Sequence, residues 1–107
     1  MHILFTRPLE DSKEIISRFQ NLGHKVSHLP VLNIIEKKHE KINFSNYSAV
    51  IFTSANSIKY LKSDHIDKNI ICFCVGEATE RKASSFGFQN IFSAEGNVHN
   101  LKEIILR

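Results

Sequence analysis

Three short polar segments in this 107-residue chain have the residue types that bind anions. Thr6-Arg7-Pro8, Thr53-Ser54-Ala55-Asn56 and Gly76-Glu77-Ala78-Thr79 each follow an apolar run and precede a helical pattern. The second segment contains two good N-cap residues, Ser54 and Asn56, and a helix that begins there directs free backbone N–H groups to one point. With their hydroxyl groups and one guanidinium, the segments suit a ligand that carries carboxylates or phosphates.

Each segment taken alone also fits an ordinary structural role. Thr53–Asn56 fits a plain helix cap, and Gly76 fits a turn that needs a permissive backbone. Arg7 fits a surface charge or an ion pair with Glu10. The functional interpretation therefore depends on the three segments lying at one edge of the fold.

The elements that must position these segments alternate between strand and helix. Helical periodicity begins near Leu9, Ala55, Gly76 and Gly96, and Gly23 and Gly87 are expected to end two of the helices. Ala49–Phe52 is predicted to be a strand that is buried on both faces. The other predicted strands are His2–Phe5, Lys25–Leu29, Ile70–Val75 and Ile91–Ala94.

This alternation predicts the α/β class. We expect one domain over residues 1–107, built on a single doubly wound, parallel, five-stranded sheet of flavodoxin-like strand order 2-1-3-4-5. Ligands of such sheets bind outside the carboxyl ends of the strands, where the strand order reverses. Strands 1 and 3 would flank that point, so the three polar segments would form one rim.

Composition and motifs exclude several function classes. A net charge of +3 permits an anionic partner, but no Lys/Arg block with interleaved aromatic residues indicates nucleic acid. No signal peptide or membrane-length apolar run is present, so we expect a cytoplasmic protein. The histidines and cysteines lack metal-ligand spacing, and Cys72 and Cys74 are expected to be buried core thiols. Dinucleotide, P-loop and nucleophile-elbow motifs are absent.

As an ordered set, the three segments resemble uroporphyrinogen-III synthases. Gly23, Pro30 and the closing Leu101–Leu106 helix match in the same order, so the resemblance covers nearly the whole chain. It implies a cytoplasmic lyase of haem biosynthesis that needs no metal and no cofactor. Such enzymes close the linear tetrapyrrole hydroxymethylbilane, which is rich in carboxylates, to uroporphyrinogen III.

The resemblance also implies which residues contact the tetrapyrrole. Family members hold its carboxylates largely through main-chain amides and Ser/Thr hydroxyls of these turns. The general acid stays unassigned, because Tyr47 and Tyr60 do not match the position of the tyrosine that the family carries. The substrate contacts implied are Thr6, Arg7, Thr53, Ser54, Asn56, Gly76 and Thr79.

The length of the chain departs from the family pattern. Family members usually have two such domains, with the substrate in the cleft between them. The chain is therefore either a one-domain relative or the N-terminal portion of a two-domain enzyme, and an active form would pair two chains as a homodimer. An alternative function is a non-catalytic binding domain for a carboxylate-rich tetrapyrrole or another anionic ligand. A third alternative is a structural domain without a ligand.

Overall fold

The computed structural model describes residues 1–62, 66–95 and 98–106. Within them the chain forms two compact units, residues 1–37 and residues 38–107, and each is described by itself. The predicted helix start at Gly96-Asn97 lies outside the described residues. The strands are β1 His2–Phe5, β2 Lys25–His28, β3 Ala49–Phe52, β4 Ile71–Val75 and β5 Asn90–Ala94. The helices are α1 Leu9–Asn21, α2 Ala55–Lys59, α3 Glu77–Phe86 and α4 Val98–Ile105, with a 3₁₀ turn at Phe44–Asn46.

The first unit is a strand–helix–strand crossover. Strands β1 and β2 are parallel, with His2 opposite Lys25 and Phe5 opposite His28. The connecting helix α1 packs through its apolar face, where the rings of Phe5 and Phe19 lie 5.9 Å apart. Gly23 follows the helix with φ of +88°, a conformation that favours glycine, and so turns the chain into β2.

The second unit is a three-stranded parallel sheet in the order β3-β4-β5. Helices α2 and α3 are its crossover connections, and α4 packs on β4 and β5. Alternate strand residues point to one face and form a core with the helices, in which the Phe52 and Phe88 rings lie 5.6 Å apart. The buried core residues are Phe44, Phe52, Ile58, Ile70, Cys72, Cys74, Ala83 and Phe88.

The predicted single five-stranded sheet is wrong, although the α/β class and the parallel strands are confirmed. The strands form one two-stranded and one three-stranded sheet, and the flavodoxin-like order 2-1-3-4-5 is not confirmed. Placing strand 3 beside strand 1 needs a long crossover from β2, usually a helix. Residues 29–43 are exposed and contain no helix or strand, so this crossover helix is missing between β2 and β3. The assignment of the whole chain to one domain stays a prediction.

The expectation that β3 is buried on both faces is also wrong. Phe52 is 5% exposed, whereas its neighbour Ile51 is 50% exposed on the opposite face. The apolar run predicts a strand, but it does not show whether other elements pack on both of its faces.

In the part of the chain that the structure describes, no helix has the length and apolarity to span a bilayer.

Candidate functional site

The turn after β3 is organised by Ser54. Its extended backbone, with φ of −148° and ψ of 140°, makes it the N-cap of α2, and its Oγ accepts a hydrogen bond from the Asn56 N–H at 3.2 Å. A hydroxyl group also carries one hydrogen to donate, so capping leaves Ser54 able to donate to a ligand oxygen. Thr53 and Ser54 are exposed, and Asn56 is half-buried.

The turn after β4 is organised by Gly76. Its φ of +90° and ψ of 150° are a conformation open essentially to glycine alone, and its N–H donates to the Ala94 carbonyl at 3.1 Å. The Gly76 carbonyl then accepts from the Glu80 N–H at 3.1 Å, within the first turn of α3. Gly76 thus joins the end of β4 both to β5 and to the following helix.

These two turns are neighbours. Phe52 of β3 pairs with Cys74 of β4, and Ser54 and Gly76 each lie two residues beyond that pair. Because β3 and β4 are adjacent parallel strands, both turns lie at the same edge of the sheet. The second unit therefore brings together the residues Thr53, Ser54, Asn56 and Gly76.

Thr79 occupies a different environment from the other candidates. It lies in α3, and only 4% of it is exposed. A ligand at the rim would therefore reach its hydroxyl only after a local rearrangement. The helical pattern could not reveal this, because burial at this position depends on which helix packs against α3.

The electrostatics of the second turn are mixed. Glu77 and Glu80 lie in the first turn of α3, where carboxylates suit the helix dipole but repel an anionic ligand. Arg81 offsets part of this negative charge, with its Nη1 atom 3.3 Å from Glu77 Oε1 on the surface. Binding of a carboxylate there would depend on backbone donors more than on net charge, because the Thr79 hydroxyl is buried.

Thr6 and Arg7 belong to the first unit, apart in sequence from the other candidates. Both are exposed, and Arg7 Nη2 lies 4.0 Å from Asp11 Oδ2, one helical turn further along. The Arg7 carbonyl accepts a short hydrogen bond of 2.6 Å from His28 Nε2. The sequence pattern gives no sign of this contact, because His28 lies opposite Phe5 only through the pairing of β1 with β2.

The cysteine pair is unsuited to nucleophilic or redox chemistry. Cys72 and Cys74 are fully buried in β4. Burial, followed by the neighbouring Cys74 thiol, raises the pKa of Cys72 to about 12. Burial, followed by Glu80, also raises the pKa of Cys74. Across residues 1–62, 66–95 and 98–106, no group of three or more His, Cys, Asp or Glu side chains could hold a metal ion.

The chain matches the model of a known protein family. The model of the family described as uroporphyrinogen-III synthase HemD matches residues 13–107. This span includes the Ser54 and Gly76 turns but begins after Thr6-Arg7-Pro8. No curated protein matches the chain in a direct sequence comparison.

Proposed function

Since the chain belongs to the uroporphyrinogen-III synthase family, we propose that it binds hydroxymethylbilane and takes part in its closure to uroporphyrinogen III. The observation that carries the proposal is the adjacency of the Ser54 and Gly76 turns at one sheet edge. Both turns lie within the span that matches the family. Their hydroxyl groups and backbone amides suit the carboxylates of the substrate.

In this proposal the chain acts mainly by holding the flexible substrate in one folded geometry. Closure requires the terminal hydroxyl group to leave and a ring carbon that is already substituted to attack, so the two ends of the chain must meet. The Thr53, Ser54 and Asn56 side chains and the Gly76 turn would hold carboxylates on one side of the substrate. Thr6 and Arg7 stay contacts that the sequence resemblance implies, and Thr79 would join after a local rearrangement of α3. The general acid that protonates the leaving hydroxyl group stays unassigned.

We propose further that the active form pairs two chains, since family members bind the substrate between two domains. Specific activity should then fall on dilution, as the pair dissociates in sedimentation measurements. A protein that is monomeric at all concentrations and fully active would contradict this pairing.

The second candidate function is a binding domain without catalysis. It is favoured by the side chains of the Ser54 and Gly76 turns, because Ser, Thr and Asn bind ligands as hydrogen-bonding groups and are poor acids for a leaving hydroxyl group. This domain would hold a carboxylate-rich tetrapyrrole or another anionic ligand.

One experiment separates the two functions. The protein is supplied with freshly made hydroxymethylbilane, and the ratio of type III to type I isomers in the product is measured. Excess type III supports the synthase, whereas type I alone, the spontaneous product, excludes it. Saturable binding of uroporphyrin without turnover would then support the binding domain, and the absence of both would reject both functions.

A further inference from the structure

Three consecutive carbonyl groups at the end of β1 accept hydrogen bonds from β2 and the residues after it. The Phe5 carbonyl accepts from the Leu29 N–H at 2.8 Å, and the Thr6 carbonyl accepts from the Val31 N–H at 3.1 Å. The Arg7 carbonyl accepts from the side chain of His28, at 2.6 Å. The backbone around the candidate contacts Thr6 and Arg7 is therefore held by a hydrogen bond at each of these three carbonyls.

The side chain of His28 replaces a backbone donor that the strand pairing does not supply. In a regular parallel ladder, the N–H two residues after Leu29 would bond to the carbonyl two residues after Phe5, which is that of Arg7. The Val31 N–H instead bonds to Thr6, so the ladder slips by one residue at Pro30. The Arg7 carbonyl then depends on side chains, which are His28 and, at a longer distance of 3.5 Å, the Ser12 hydroxyl.

The guanidinium of Arg7 is less firmly held than its backbone. The Arg7 side chain is 72% exposed, and 4.0 Å separate it from Asp11. Such an exposed pair contributes little to fixing a side chain. The direction of the Arg7 side chain therefore depends largely on the orientation of the Arg7–Pro8 peptide plane. The hydrogen bond from His28 to the Arg7 carbonyl holds this plane.

We propose that His28 is a positioning residue that orients Arg7 toward a carboxylate of the ligand. This inference rests on the proposed function, because it concerns the same anionic tetrapyrrole. The acceptor is a carbonyl oxygen, so His28 must carry a hydrogen on Nε2. Sequence spacing could not show this role, because the two residues are 21 positions apart and meet only through strand pairing.

The test is a double-mutant cycle on the affinity for uroporphyrin, with unfolding temperatures measured for each variant. His28→Leu should weaken binding about 3- to 10-fold, the effect of one hydrogen bond. His28→Gln, whose amide can donate, should recover part of the loss. The matched control is His2→Leu, which removes a 2.7 Å hydrogen bond to Ser27 on the same sheet and should leave the affinity unchanged.

The cycle is completed in an Arg7→Ala background. If His28 acts through Arg7, His28→Leu should cause no further loss of affinity in that background. An equal loss in both backgrounds, or no loss in either, would overturn the inference.

A wild-type protein that binds no uroporphyrin and forms no excess of the type III isomer would reject the proposed function without deciding the role of His28. That role is then decided by the ring tautomer in ¹H–¹⁵N spectra. A hydrogen on Nε2 supports the anchor, and a neutral ring protonated only on Nδ1 excludes it.

Discussion

Replacing Ser54 by Gly and by Ala should separate its role as a helix cap from its role as a ligand contact. Ser54→Ala removes the 3.2 Å cap of α2 and should cost about 1 kcal/mol of unfolding free energy, whereas Ser54→Gly should cost only a few tenths. For a domain of this size, 1 kcal/mol lowers the melting temperature by about 4–8 °C. Both substitutions remove the hydroxyl hydrogen, so both should lose the same donor to a carboxylate.

The affinity for uroporphyrin provides the decisive measurement. A hydrogen bond to a charged group contributes about 1.5–3 kcal/mol, which corresponds to a loss of about 10- to 150-fold in both variants. The control Ser57→Ala removes a 2.6 Å bond to the Ser54 carbonyl in the same helix and should leave the affinity near that of the wild type. A Ser54→Gly protein with wild-type affinity would refute the contact and leave Ser54 as a cap alone.

Four further outcomes are expected. Cys72 and Cys74 are fully buried and their pKa values are raised, so neither thiol should react with a disulfide reagent at pH 8 until denaturant is added. Rapid stoichiometric labelling of the native protein would contradict this. Because the pKa values of both thiols are raised by folding, the unfolded chain loses its thiol protons first as the pH increases. The stabilisation from Cys72 is therefore complete below pH 9 and is lost toward about pH 12, and the melting temperature should fall over this range. The fall should be smaller in a variant with both cysteines replaced by alanine. Gly76→Ala should cost about 1–3 kcal/mol in denaturant unfolding because of its φ of +90°, although a Cβ there would contact nothing within 4 Å; an unchanged midpoint would show that the turn relaxes. Glu77→Gln should raise the affinity for uroporphyrin about 2- to 5-fold, because it removes a charge that repels the carboxylates of the ligand. Weaker binding in titration calorimetry would show that Glu77 does not repel the ligand.

The local part of the candidate site was predictable from the sequence. Ser54 caps α2, and Gly76 precedes α3 with a positive φ, as the residue types at these positions indicate. The burial of Thr79 and the bond from His28 to Arg7 were not predictable. Both depend on partners distant in sequence, which a helical or strand pattern does not identify.

The sequence by itself determined the order of the strands and helices and, to within one residue, the ends of the strands. Apolar periodicity, N-cap residues and glycines suffice for this because they act over a few neighbouring residues. The starts of α1 at Leu9 and of α2 at Ala55, and the end of α3 before Gly87, are confirmed in this way. Only the tertiary structure decided which strands pair. Residues 29–43 provide no crossover helix, and strand pairing depends on the path of such connections across the whole chain. The Ser54 and Gly76 turns are adjacent even though the strands form two sheets, because their adjacency depends only on the pairing of β3 with β4.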